Sequence, residues 1–217
     1  MVFVNGQKNY GFSKQLPKVD KNRIFLAPSQ VHGSLVKIID SNSATCSQVF
    51  NSYDGVLYKQ EQTSRKVCLY VKTADCLPIL IYSDKAKILG AVHMGYQSAY
   101  KGILDNLVDN LTFLKVNFRD LTIVFGPCIN GACYNIPMAR FKQFQNNFNN
   151  SSLFLFKDAK NSYLSLNAFA YFQLRSLGIP KAAFSWRLYC THCQADKFYS
   201  FRRGDRNLNL YSYLTND

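Results

Sequence analysis

VCLYVKTADCLPILIYSDKAKILGAVHMGYQSAYKGILDNLVDNLTFL, residues 67–114, carries the reading of the fold. Its first half holds three short apolar runs rich in β-branched and aromatic residues, at 67–72, 77–82 and 88–92. Each has strand length and predicts a buried β-strand. The second half changes period. Ala99, Ile103, Leu107, Leu111 and Leu114 recur at three- and four-residue steps, with Leu104 and Val108 widening the stripe. That spacing predicts a helix over 98–114. Gly102 interrupts the stripe, and close packing is the expected reason. Strands followed directly by a helix point to a mixed α/β fold.

The same alternation continues outward. Residues 121–125 (LTIVF) predict a strand leading into the Gly126-Pro127 turn. Pro137 suits the first turn of a helix running to Phe148. Asn167 is the expected cap of another helix to about Leu177, stopped by Gly178. Residues 183–189 predict a further strand. With no repeat or low-complexity linker, the expectation is one α/β domain over residues 1–217, long enough for a substantial core.

Composition narrows the class. Hydrophobic residues make up 47% and aromatics 15%, which excludes a disordered chain. No apolar run approaches membrane-spanning length, and the N-terminus lacks a basic-then-apolar signal pattern. A cytoplasmic location is therefore expected, with the seven cysteines as reduced thiols. The net charge of +13 would suit an anionic partner, but the basic residues are scattered. That scatter reads as a solvated surface, and it disfavours a nucleic-acid face. The compact pair Arg202-Arg203 is the exception.

The candidate chemistry lies in three residues. The chain has three histidines. His32 in SQVHG and His93 in GAVHMG sit beside glycine at the edge of apolar runs, and Cys76 lies between them in KTADCLP. Two imidazoles and one thiolate suit zinc with an open fourth position. They match no local zinc pattern, however. A small buried cysteine and two hydrogen-bonded loop histidines are the alternative reading. His93 falls where a strand meets a helix, whose free N–H groups favour an anion, and Gly95 would let backbone approach a ligand. Asp75 reads as support for a ligand, as a proton acceptor, or as a turn cap. Arg202-Arg203, after Phe198-Tyr199-Ser200-Phe201, reads as an anion and base contact or as a charged edge. Cys190-Thr191-His192-Cys193 is half a zinc knuckle. No second pair lies at a suitable spacing, so no structural zinc is expected there.

The order QVHG, TADCLPILI, AVH-x-G, GPCI…CYNI, CT-x-C…F-x-SFRRG, from His32 to Arg206, resembles the laccase-domain family. Its members go by the names polyphenol oxidase, peptidoglycan editing factor and multifunctional purine nucleoside phosphorylase. The resemblance implies layered β-sheets flanked by helices, akin to toxin deamidases, with a metal in a surface pocket. It implies that His32, Cys76 and His93 hold one zinc, and that Asp75 and Cys76 lie at the chemical centre. It further implies Gly95, Gln97, Thr191, Phe201, Arg202 and Arg203 around the substrate. Two departures alter that shell. The family's Ala-Gly-Trp-Arg-Gly is Met94-Gly95-Tyr96-Gln97-Ser98 here, and its Tyr-Glu is Tyr134-Asn135.

What the resemblance implies for activity is a zinc-dependent purine nucleoside enzyme. Its substrates would be a nucleoside and phosphate, with phosphorolysis of adenosine or inosine and deamination of adenosine. Gln97 in place of arginine tilts the expectation towards the hydrolytic reaction, because zinc activates water directly. The alternative is a cysteine hydrolase or amidase acting on a cell-wall precursor, with Cys76 as nucleophile and His93 as base. A copper polyphenol oxidase stands third. Three histidines cannot supply a multicopper centre, although one copper ion suits the same ligands. No obligate protein partner is implied.

Overall fold

The three apolar runs at residues 67–94 fold as strands, but they do not share one sheet. The computed structural model describes residues 2–5, 8–17, 22–61, 65–186 and 189–216. Its strands, in order, are β1 (Val2–Asn5), β2 (Lys8–Ser13), β3 (Ile24–Pro28), β4 (Val36–Asp40), β5 (Gln48–Phe50), β6 (Gly55–Lys59), β7 (Val67–Thr73) and β8 (Leu77–Ser83). There follow β9 (Ile88–Met94), β10 (Thr122–Phe125), β11 (Asn135–Ile136), β12 (Leu155–Lys157), β13 (Ser162–Leu164), β14 (Phe184–Trp186) and β15 (Leu210–Asn216). The helices are α1 (Tyr96–Tyr100), α2 (Ile103–Phe113), α3 (Met138–Asn147) and α4 (Leu166–Ser176).

One six-stranded sheet runs β1-β2-β15-β7-β3-β5, and the other runs β14-β10-β8-β9-β6-β4. A small sheet, β11-β13-β12, stands apart. The chain thus changes sheets between β7 and β8. The second sheet is the middle layer, which explains why β8 and β9 read as continuous apolar runs. Every residue of both strands is buried, as strands covered on two faces require. Side chains alternate across a strand with period two. Leu80, Tyr82, Leu89 and Ala91 join a core with Tyr10, Phe12, Leu26 and Leu69 of the first sheet. Ile79, Ile81, Ile88 and Val92 join a second core with Leu104, Leu107 and Leu111 of α2 and Phe169 of α4. Each Leu, Ile, Val or Phe side chain among them, fully buried, stabilises the fold by about 1.5–3 kcal/mol relative to exposure.

The structure adjusts several expectations. The helix predicted over 98–114 is two helices, broken at Lys101-Gly102. Gly102 has φ 82° and ψ 35°, the left-handed region. The nearest atoms an added Cβ would meet there belong to the Asp105 side chain, its carboxylate tip at 3.3 Å. Conformation and not close packing therefore requires glycine. Ser165, not Asn167, caps α4, its hydroxyl accepting from the Ala168 N–H at 3.3 Å. Asn167 lies inside the first turn. The strand predicted at 183–189 covers 184–186, and residues 187–188 lie outside the described residues. His93 sits within β9, not beyond it. Helix α1, five residues long, is a single turn with little dipole to offer an anion. Among the described residues no helix is long and apolar enough to cross a membrane.

Gly102→Ala forces a left-handed alanine, a cost of about 1 kcal/mol. Its melting temperature should fall by about 2–4 °C. An unchanged value in a thermal melt would show that the break between α1 and α2 tolerates other geometries.

Candidate metal centre

Asp54 organises the site from beneath. It lies just before β6 and is fully buried. Its carboxylate accepts the backbone N–H of Val31 at 3.1 Å, His32 at 2.9 Å and Gly33 at 2.6 Å. It also bonds Nδ1 of His93 at 2.9 Å. The His93 N–H donates to the Asp54 carbonyl at 2.7 Å, closing the contact from the backbone side. With Nδ1 donating to Asp54, the neutral imidazole leaves Nε2 free to bind a metal, the usual carboxylate–histidine–metal arrangement.

The loop carrying His32 is held in an uncommon conformation. Gln30 and His32 have φ of 64° and 55°, rare for residues other than glycine. Side-chain anchors hold it there. The Gln30 amide donates to the Lys72 carbonyl at 2.5 Å and accepts the Lys72 N–H at 2.8 Å. Lys101 donates to the His32 carbonyl at 2.9 Å. Cys76 stands where the chain crosses from β7 to β8, after Asp75 with φ 92°. Asp75 is held in turn. Its carboxylate accepts the Thr191 hydroxyl at 2.6 Å and the Arg202 N–H at 2.7 Å.

These supports bring the three ligands together. One atom each from His32, Cys76 and His93 lie within 4.8 Å of one another, and Cys76 Sγ is 3.9 Å from His32 Nε2. Tetrahedral zinc needs donor separations of about 3.5 Å, so the Cys76–His32 pair fits after a contraction of a few tenths of an ångström. Gly95 permits the approach. A Cβ on it would lie 3.0 Å from both Cys76 Sγ and His32 Cδ2. The electrostatics favour a thiolate. Burial pushes the Cys76 thiol up, but His93 and hydrogen bonds from both histidines outweigh it, bringing it to about 6. Burial likewise pushes His93 down, while the Cys76 thiolate and Asp54 raise it to about 9. Without metal the two form a thiolate–imidazolium pair.

A cavity of about 700 Å³ opens over these ligands. Asp75, Gln97, Phe201 and Arg202 line it. Gly95, Thr191 and Arg203 are not among its lining residues. Thr191 is fully buried behind Asp75. Arg203 donates to the carbonyls of Thr191 at 2.7 Å, His192 at 2.9 Å and Phe198 at 2.7 Å, and pairs with Asp205. It staples its own loop and is not among the residues that line the cavity. Arg140 and Tyr134 are among the lining residues that were not named as site residues from the sequence. Arg140 of α3 stacks over the Tyr96 ring at 3.5 Å, and Tyr134 lies 5.2 Å beneath the Arg202 guanidinium. Asp54 was missed as well. Its only local signal is a turn-like Asp54-Gly55 pair, and Arg140 has none.

An open His–Cys–His set at the mouth of a cavity, on a layered α/β fold, makes a candidate metal-binding pocket, with a donor set of the kind found in catalytic zinc sites. The chain belongs to the laccase-domain family: the family described as multi-copper polyphenol oxidoreductase laccase matches residues 5–209. A purine nucleoside phosphorylase of Rickettsia conorii is 28% identical over 168 residues, 76% of this chain and 66% of the relative. One of Borreliella burgdorferi is 30% identical over 161 residues, 71% of this chain and 65% of the relative. The chain thus spans slightly under two thirds of the length of these curated relatives. Among solved structures, YlmD of Geobacillus stearothermophilus matches with a TM-score of 0.77 at 22% identity, covering 88% of this chain and 73% of that one. YfiH of Bacillus licheniformis matches with a TM-score of 0.77 at 21% identity, covering 92% and 76%. These two show a shared fold.

Asp54→Asn removes one acceptor from a carboxylate that serves both histidines. It should weaken metal binding by about 10–100-fold in chelator competition; unchanged affinity would reduce Asp54 to a loop anchor. In metal-free protein, Cys76 is charged above its depressed pKa and loses that charge as pH falls through it. Alkylation of Cys76 by iodoacetamide should therefore rise with a midpoint of about 6. A midpoint in the ordinary thiol range, near 8.5, would contradict the pairing with His93.

Proposed function

We propose that the pocket takes a purine nucleoside and, with zinc at His32, Cys76 and His93, catalyses phosphorolysis of adenosine and inosine and deamination of adenosine. The observation that carries this reading is the make-up of one cavity. An open three-ligand set, two guanidinium groups and the rings of Tyr96, Tyr134 and Phe201 face the same space. The names of the curated relatives support it. Bound zinc would supply a Lewis acid and activate water near neutral pH. With this reading go a cytoplasmic location and action as one domain on small-molecule substrates.

The chain's own residues have separate tasks. Arg140 and Arg202 hold phosphate through charge-assisted hydrogen bonds. Aromatic rings stack on the base. In phosphorolysis a phosphate oxygen bonds to the ribose anomeric carbon as the bond to the base nitrogen breaks, and the electron pair leaves with the base. The departing base needs a proton or a hydrogen bond. Tyr134, pushed up to about 12 by burial, keeps its phenolic proton available at neutral pH. Gln97 lacks the charge of the family's arginine. Arg140 brings a guanidinium to the neighbouring Tyr96 ring, so phosphate use need not be lost.

A nucleoside panel with and without phosphate, before and after chelation, tests the proposal. Adenosine should give adenine and ribose 1-phosphate with phosphate, and inosine without it. Both reactions should stop on chelation. Protein holding stoichiometric metal and turning over none of the panel would overturn the reading. Arg140→Ala should raise the KM for phosphate by about tenfold or more, with deamination, which uses water, changing less. An unaltered KM would remove Arg140 from the anion site.

One observation favours a second reading. The metal-free Cys76–His93 pair, backed by Asp54, has the parts of a cysteine hydrolase. A cell-wall precursor amide would be its substrate. Chelation separates the two, because it would unmask a thiolate nucleophile where it stops a metalloenzyme.

A further inference from the structure

We propose that Cys133, Cys190 and Cys193, with His192, form a second, thiolate-rich site that binds one zinc ion outside the nucleoside pocket. The half-knuckle at Cys190–Cys193 finds its partner in three dimensions. Cys133 ends the short turn Gly131–Cys133 and lies 60 residues before Cys193, yet their sulfurs are 3.3 Å apart. A ring nitrogen of His192 falls within 4.8 Å of both sulfurs. The Cys190 thiol contacts Cys133 and Cys193 as well, but it stands outside the set whose ligand atoms all lie within 4.8 Å, so it becomes the fourth ligand by moving in on the ion. Three cysteines and one histidine make up a common structural zinc set.

The geometry suits an ion. A disulfide bond needs about 2.0 Å between sulfurs, and all these cysteines are free. Tetrahedral zinc places its sulfurs about 3.8 Å apart, so half an ångström of spreading admits it. Cys190 is also prepared to carry charge. Its sulfur accepts the Asn130 N–H at 3.3 Å, and the backbone of His192 and Cys193 donates to it too. A neutral thiol is a weak acceptor; several amide donors converging on one sulfur suit a thiolate ligand. On binding, the thiol protons leave to solvent. Cys193 is exposed, giving the ion a path in.

Such an ion would join two walls of the pocket. Cys133 precedes Tyr134, which lines the cavity. Thr191, between two ligands, holds Asp75. The inference does not rest on the proposed activity, since it shares no ligand with the first centre.

Metal counting tests it. The full chain is purified under reducing conditions, loaded with zinc, desalted and analysed by mass spectrometry for metal. Wild type should hold about two ions per chain, one per ligand cluster. The Cys133→Ser/Cys193→Ser variant should lose one ion, and the His32→Ala/Cys76→Ser variant should lose the other. Cobalt titration of wild type provides a check that needs no variant. It should show two phases, with the thiolate charge-transfer band about three times as intense per ion in the thiolate-rich phase. Wild type with a single ion that Cys133→Ser/Cys193→Ser retains, or cobalt binding in one weakly absorbing phase, overturns the proposal. So does a Cys133–Cys193 disulfide that persists after reduction and zinc loading.

Discussion

A single buried carboxylate holds the centre together. Asp54 accepts three successive backbone N–H groups and the His93 ring, so its charge is fully paired in a place water does not reach. An unpaired buried charge would be very costly, and a paired one is tolerated only when its hydrogen bonds are complete. Here completing them has a geometric result. The N–H bonds place His32 on its loop, and the ring bond orients His93 on its strand. Two candidate ligands from distant parts of the chain are therefore set by the same two oxygen atoms. The left-handed backbone at Gln30 and His32 persists because these bonds, with those of Gln30 to Lys72, over-determine it.

The third ligand depends on the architecture. Because β7 belongs to one sheet and β8 to the other, the chain must turn sharply between them. Asp75 takes the left-handed conformation at that corner, and Cys76 follows at its tip. Asp75 is then tied to the loops bearing Thr191 and Arg202. Arg203 locks the same loops from behind. Both adjacent arginines donate to backbone carbonyls, Arg202 to Asn135 at 2.8 Å and Arg203 to its own loop, but only Arg202 also lines the cavity.

The second cysteine cluster lies on these same loops. Cys128 and Cys190 form an isolated parallel bridge, which lays the segment after β10 alongside the segment after β14. That pairing carries Cys133 towards Cys193. It also brings Tyr134 and Thr191 to neighbouring walls of the pocket. Rigidity in the loops and shape in the cavity thus have a common origin.

Much of this was legible in the chain. The apolar runs at 67–72, 77–82 and 88–92 became β7, β8 and β9, because burial on one or both faces demands such side chains. Gly178 ended α4 with φ 95°, as its place after a periodic stretch implied. His32, Cys76 and His93 could be chosen by ligand chemistry and motif order, since few side chains bind a soft metal and each stood in a distinctive setting. Other features had no local trace. Asp54 looks like a turn residue, Arg140 like any helix surface arginine, and Cys133 like a lone thiol. Their roles arise from contacts between segments tens of residues apart. Periodicity records which face of an element is buried, but not which distant group it meets. Only the packing of two sheets, with the loops tied across their edges, decided those meetings.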